Sequence, residues 1–181
     1  LFITKLNPAG SQVLASTYIG GNDDDGVNVI NGYSAVRNTL SYNYGDNYRG
    51  EVNIDAQNNI YLVGQTKSRD FPTTPNAAKR IFDANDLQDG FLVKFNNNLS
   101  NLIYSTLLGG SAADAAYVVT LDKNNQNIYV AGGTSSNNFL SIGCCLFFKN
   151  TNNISNSLFV NSIWISPCLI SLESSEILYS L

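Results

Sequence analysis

Among the side chains that could do chemistry in this sequence, the acids stand closest together. Asn22, Asp23, Asp24, Asp25 and Gly26 set three carboxylates beside a glycine, and oxygen-rich loops of that kind hold calcium. The run lacks the spacing and the closing Glu of a calcium loop. A solvated turn is therefore the preferred reading and no metal is expected, with Asp23 and Asp25 as the candidate ligands if a cation were to bind. A second concentration is aromatic: Tyr33, Tyr42, Tyr44 and Tyr48 gather near Arg37, Asn38 and Arg49. Rings that stack and polar groups that hydrogen-bond suit a loop that binds protein or glycan.

Catalysis is poorly provided for. The 181 residues contain no His, which removes the commonest general base and the commonest metal ligand. No Ser-His or Cys-His pair can form, and no G-x-S-x-G phrase occurs. The pair Asp46 and Glu51 receives no role. Cys144, Cys145 and Cys168 lie without a Cys-x-x-Cys spacing, so buried or free thiols are expected rather than a zinc site or a disulfide framework. The expectation is a protein that is not an enzyme and carries no cofactor.

The elements that must position these groups follow from composition. Apolar residues make up 44% and charged residues only 13%. The difference is filled by Asn, Ser, Thr, Gly and ten Tyr, which suit strands and turns better than helices. An all-β fold is expected. The net charge of -4 offers no clustered cations for phosphates, so nucleic acid is not an expected partner. The apolar segments near the C-terminus are interrupted by polar residues and too short to span a bilayer. No Met occurs and the first residues already read as a strand, so a stretch of a longer chain is expected, without a signal peptide in it.

The chain also repeats itself. "LFITKLNPAGSQVLASTYIGG" lies over "GFLVKFNNNLSNLIYSTLLGG", pairing Phe2 with Phe91, Lys5 with Lys94, Asn7 with Asn96, Ser16 with Ser105 and Gly21 with Gly110. "VNIDAQNNIYLVGQTKSRDF" lies over "VVTLDKNNQNIYVAGGTSSNNF", pairing Asp55 with Asp122, Tyr61 with Tyr129, Gly64 with Gly132 and Thr66 with Thr134. The first copy is longer by about twenty residues, placed somewhere in 22–49. Strands are expected at 50–55, 59–65, 90–95 and 102–108. Asp55 and Asp122 are expected to cap Asn-rich turns with their carboxylates, and Asp46 and Asp114 to do the same before the innermost strand. Gly20, Gly21, Gly109 and Gly110 are expected to turn the chain sharply through positive φ.

Strands such as "NIYLVG" and "NIYVAG" are apolar on both sides, so both faces of their sheets must be covered. Repeated four-stranded sheets with neighbours front and back describe the blades of a β-propeller. With "DGFLVKFNNNLSNLIYSTLLGG" and "NNIYLVGQTKSRDFPTTPNAA" in that order, the chain resembles the SBBP (seven-bladed β-propeller) repeat family over residues 1–21 and 45–139. That resemblance implies a bacterial secreted or cell-surface protein with a structural or adhesive role and no catalytic mechanism.

The expected organisation has four parts: 1–21, two outer strands of an incomplete blade; 22–49, an insertion loop; 50–110, a complete blade; and 111–181, a second blade with a divergent C-terminal half. That makes a partial β-propeller of four-stranded antiparallel blades, about two and a half repeats. From Leu140 onward the repeat phrases lapse; a degenerate last blade, an end-piece and a shifted reading frame each account for this. The functional expectation is a non-catalytic scaffold of a bacterial surface or secreted protein, its partners protein or glycan and further blades of the same parent. A carbohydrate-binding propeller using the tyrosine-rich insertion is the alternative, and a fragment of a propeller hydrolase ranks third.

Overall fold

A computed structural model of the chain describes residues 1–27, 49–84, 86–139 and 145–149. These residues are all-β. The first sheet pairs β1 (Phe2–Leu6) with β2 (Val13–Tyr18). The second is an antiparallel meander of β3 (Glu51–Ile54), β4 (Ile60–Thr66), β5 (Asp89–Phe95) and β6 (Leu102–Leu108). In the third, β7 (Asp114–Leu121) and β8 (Ile128–Thr134) are antiparallel and β9 (Cys145–Lys149) joins β8 in parallel.

The turns explain where the strands stop. Asn58 and Asn125 occupy the left-handed region at φ 61° and 55°, which Asn tolerates because its short amide bonds locally. In the β1–β2 turn Gly10 takes that conformation at φ 69°, and in the matching β5–β6 turn Leu99 takes it at φ 60°. A left-handed leucine costs about 1–2 kcal/mol. Its side chain is buried in the core, which contributes about 1.5–3 kcal/mol and offsets the strain.

Every residue of β4 is buried, because the second sheet is covered on both faces. Ile60, Leu62, Phe91, Val93 and Leu107 pack in one cluster with Ile3 and Ile19 of the first sheet. Phe71 stacks on Phe91 there, ring centroids 4.8 Å apart. On the opposite face Tyr61, Val63, Leu92 and Leu108 pack in a second cluster with Ala116, Val119 and Val130 of the third sheet. The outer edge of β6 is covered by the connection from β4 to β5: Thr74 N–H donates to Ser105 O, and Leu107 N–H to Lys79 O, each at 3.0 Å.

Three expectations need correction. Residues 22–25 are not part of an insertion, because Asp25 bridges to Thr66 just as Asp114 pairs with Thr134. The first strand of the second sheet is thus interrupted: Asp25 meets one end of β4, and Glu51–Ile54 pairs with the other. The third sheet is not wholly antiparallel, since β9 runs parallel to β8. A parallel neighbour needs a crossover rather than a hairpin, and the sequence after β8 lacks the phrase that forms β5. Finally, of the four paired glycines only Gly20 has positive φ, at 154°.

Candidate functional site

The glycine pairs owe their identity mainly to what closes over them. A Cβ on Gly21 would meet the side chains of Asp70 and Ser68, and one on Gly110 those of Asn138 and Ser136. These neighbours form two matching clasps. In the first, Asp25 Oδ2 accepts the Gly21 N–H at 2.9 Å and the Ser68 hydroxyl at 3.1 Å, while its Oδ1 accepts the Thr66 hydroxyl. The next two amides, of Asn22 and Asp23, donate to Asp70 Oδ1 and Ser68 Oγ, each at 2.9 Å. In the second, Asp114 Oδ2 accepts the Gly110 N–H and the Ser136 hydroxyl, both at 2.7 Å. Ser111 and Ala112 N–H then donate to Asn138 Oδ1 and Ser136 Oγ. Each clasp fastens the exit of one sheet to the β-strand of the next.

Beside the second clasp lies a buried charge cluster. The Lys79 backbone is pinned to β6, its N–H donating to Thr106 Oγ1 at 3.0 Å and its carbonyl accepting from Leu107. This aims its ammonium inward, 2.8 Å from Asp89 Oδ2, 3.5 Å from Asp86 Oδ2 and 3.8 Å from Asp83 Oδ2. The ammonium also donates to Gly110 O at 3.2 Å. The side chains of Asp86 and Asp89 are fully buried. Lys79 is the close charged neighbour of Asp89, while Asp86 Oδ2 and Asp114 Oδ1 are buried without a hydrogen-bond partner among the described residues. Gln88 ties the cluster to the third sheet, donating from Nε2 to Asp114 O at 3.1 Å and accepting at its own carbonyl from Asp114 N–H.

One ammonium cannot balance so many buried carboxylates, and their proton affinities respond. Burial, reinforced by the facing Asp86 carboxyl, pushes Asp89 up to about 9. Burial likewise raises Asp86, against the bonds it accepts. Asp114 is pushed up to about 6 by burial, restrained by the Ser136 hydroxyl, the neighbouring Thr134 side chain and the Gly110 N–H. Burial pulls the Lys79 ammonium down, but Asp89, Asp86 and Asp83 more than restore it, and its pKa is raised. Such perturbed groups are what acid–base catalysis uses. Here the side chains of Asp86 and Asp89 are fully buried between sheets.

The Asp-capped turns are built alike. Asp55 Oδ1 accepts the N–H groups of Gln57 and Asn59 at 3.0 and 2.8 Å, while Oδ2 accepts from Asn59 Nδ2 and the Tyr61 hydroxyl. Lys94 Nζ lies 3.4 Å away. Burial opposes the Asp55 charge, but these donors outweigh it and hold the carboxyl below its ordinary range. Asp122 accepts from Gln126 N–H and Asn127 Nδ2 at 2.7 and 2.8 Å; desolvation there too is outweighed, and its pKa is lowered.

Tyr33, Tyr42, Tyr44 and Tyr48 lie outside the described residues, as do Arg37, Asn38, Asp46, Cys144 and Cys168. Arg49 is described, its guanidinium 5.8 Å from the Tyr117 ring centroid. Asp23 caps its own turn, accepting the Asp24 N–H at 2.8 Å, and both Asp25 oxygens are taken by donors. Among the described residues no group of His, Cys, Asp or Glu is placed to hold a metal ion. The Lys79 cluster went unforeseen, although Asp86-x-x-Asp89 before β5 and the recurrence of Asp four residues beyond each Gly21-type glycine were signals. A Cβ on Gly109 would run into Asp89 and Asp114, so the smallness of that residue serves the cluster.

The class of protein that fold and site define is an all-β repeat whose sheets pack face to face and are antiparallel except where β9 joins β8. No family model, no curated protein and no solved structure matches the chain. Among the described residues no helix is long and apolar enough to cross a membrane.

Proposed function

We propose that the chain is a non-catalytic β-propeller module of a bacterial secreted or cell-surface protein, serving as a structural or adhesive scaffold. The observation that carries this reading is the second sheet, covered on both faces by sheets of the same repeat and fastened to them by recurring clasps. Stacked units of this kind transmit rigidity and leave function to loops. The resemblance of the repeated phrases to the SBBP family supports the bacterial surface setting. The strongly perturbed acids are buried between sheets, which supports a structural role for them.

The test is a broad panel of hydrolase substrates together with a glycan array. A scaffold leaves the substrate panel silent. Turnover that disappears with Asp89→Asn would overturn the reading. Reproducible sugar binding that is lost in the double variant Tyr42→Ala, Tyr44→Ala would replace it with a lectin.

A further inference from the structure

We infer that the open edge of β1 is an acceptor for an extended polypeptide strand of the β4 type, and that the cleft beneath that edge receives the strand's tyrosine. The inference rests on the internal repeat and not on the adhesive role.

The molecule supplies its own comparison. β1 and β2 stand where β5 and β6 stand in the second sheet, and even the register irregularity between Lys5 and Leu6 recurs between Lys94 and Phe95. β5 carries β4 on its other edge; among the described residues β1 has β2 as its single neighbour. Ile19 N–H donates to Leu1 O at 3.2 Å, which fixes the phase of the hairpin. Leu1, Ile3 and Lys5 direct their backbone groups to β2, so those of Phe2, Thr4 and Leu6 point to the open edge. An unpaired edge of this kind is a template for strand addition.

The side chains around the edge are unfinished in the same way. An open, largely apolar cleft of about 230 Å³ runs between the first two sheets, lined by Ile3, Lys5, Val52, Ile54, Ile60 and Leu99. At the matching place between the second and third sheets, Tyr61 and Val63 of β4 share a cluster with Val119 and Val130. Val119 is 1% exposed, whereas its counterpart Val52 is 52% exposed and Ile54 is 55% exposed. What β4 covers in one interface is bare in the other. Lys94 shows the polar half of the arrangement, its ammonium 4.8 Å from the Tyr61 ring centroid and 3.4 Å from Asp55. Among the described residues its counterpart Lys5 makes an exposed bond to Asn97 O at 3.0 Å, which an incoming Asp and Tyr can replace.

The occupant is thus a segment with an Asp before an Asn-rich turn, then Ile-Tyr-x-Val-Gly, running antiparallel to β1. The β4–β5 register carries over: the tyrosine lies opposite Lys5, the next residue opposite Thr4 and the valine opposite Ile3. In the same register the N–H of the residue opposite Thr4 faces β1, and that of the valine faces away.

The probe is a synthetic peptide of residues 55–66, titrated into the full chain and read by amide hydrogen exchange. Saturable binding that slows exchange at Phe2, Thr4 and Leu6 by tenfold or more is expected. Tyr61→Ala in the peptide should weaken binding by at least tenfold. N-methylation of its Leu62 should abolish binding, whereas N-methylation of its Val63 should be tolerated. A second arm delivers the strand intramolecularly, by duplicating residues 50–88 ahead of Leu1, which raises its effective concentration to the millimolar range; the same amides should be protected. Lack of protection in both arms, or equal loss with the two methylated peptides, overturns the inference. Neither result bears on the substrate panel or glycan array, so the two readings fail separately.

Discussion

Asp89→Asn should abolish most of the dependence of stability on pH between 5 and 8. The Asp89 pKa is raised in the folded chain to about 9, against about 3.9 in an unfolded one. A raised carboxyl contributes stability that is present in full below its unfolded pKa and is lost as pH rises through its folded pKa. The slope for one proton is about 1.4 kcal/mol per pH unit, so three units set an upper bound of about 4 kcal/mol. Asp114, raised to about 6, adds up to about 1 kcal/mol in the same direction between pH 5 and 6. Relaxation and water entry reduce these figures, and a loss of about 2–4 kcal/mol from pH 5 to 8 is expected for the parent chain.

Asp86 is raised by burial as well and acts in the same direction as Asp89; no shifted group among the described residues opposes the trend in this window. Asp55 and Asp122 are lowered, so their contribution is present above the ordinary carboxylate range and is lost only as pH falls through their folded values. Lys79 and Lys94 are raised, so theirs is present below the ordinary lysine range and is lost as pH rises through their folded values. The measurement is urea unfolding at pH 5, 6, 7 and 8 at constant ionic strength. Asp89→Asn should flatten the profile and leave the variant at least as stable as the parent at pH 8. Asp86→Asn should flatten it similarly, because the facing pair holds one proton jointly. A parent profile that is level or rises from pH 5 to 8, or an undiminished slope in both variants, would refute the reasoning.

Other expectations follow from packing. Gly132→Ala drives a Cβ into the Ala115 carbonyl oxygen on β7; backbone cannot yield as a side chain can, and chemical denaturation should register a loss of about 3 kcal/mol or more. Gly10→Ala meets no atom within 4 Å but must keep φ near 69°, so the loss should be nearer 1 kcal/mol. Phe91→Ala removes a fully buried ring from the first cluster and should lower stability by about 3–5 kcal/mol. Asp55→Ala strips a buried turn of its acceptor and should cost about 1–3 kcal/mol; the same change at Asp122, which is only half-buried, should cost less, as paired thermal melts would show.

Much of the fold was legible because it is written in local periodicity. The phrases around Tyr61 and Phe91 placed β4 and β5 to within about a residue, and their apolar character on both sides required covered faces. Asp55 and Asp122, each ahead of an Asn-rich stretch, marked turns whose hydrogen bonds are local and therefore visible along the chain. The parallel attachment of β9 was not legible, since pairing direction depends on how a connection crosses the sheet rather than on the strand's own residues.

The sequence by itself therefore determined strand identity, the repeat and the demand for a neighbour on each face, because all three follow from side-chain alternation over a few residues. Only the tertiary structure decided that Lys79 from a connection, Asp86 and Asp89 at the head of β5 and Asp114 at the head of β7 converge on one buried point. Burial and mutual charge, which set the chemistry of that point, are properties of residues far apart in the chain and brought together by packing. Gly109 illustrates both: its place in the repeat is plain from the sequence, but its reason is a pair of carboxylates that only folding brings against it.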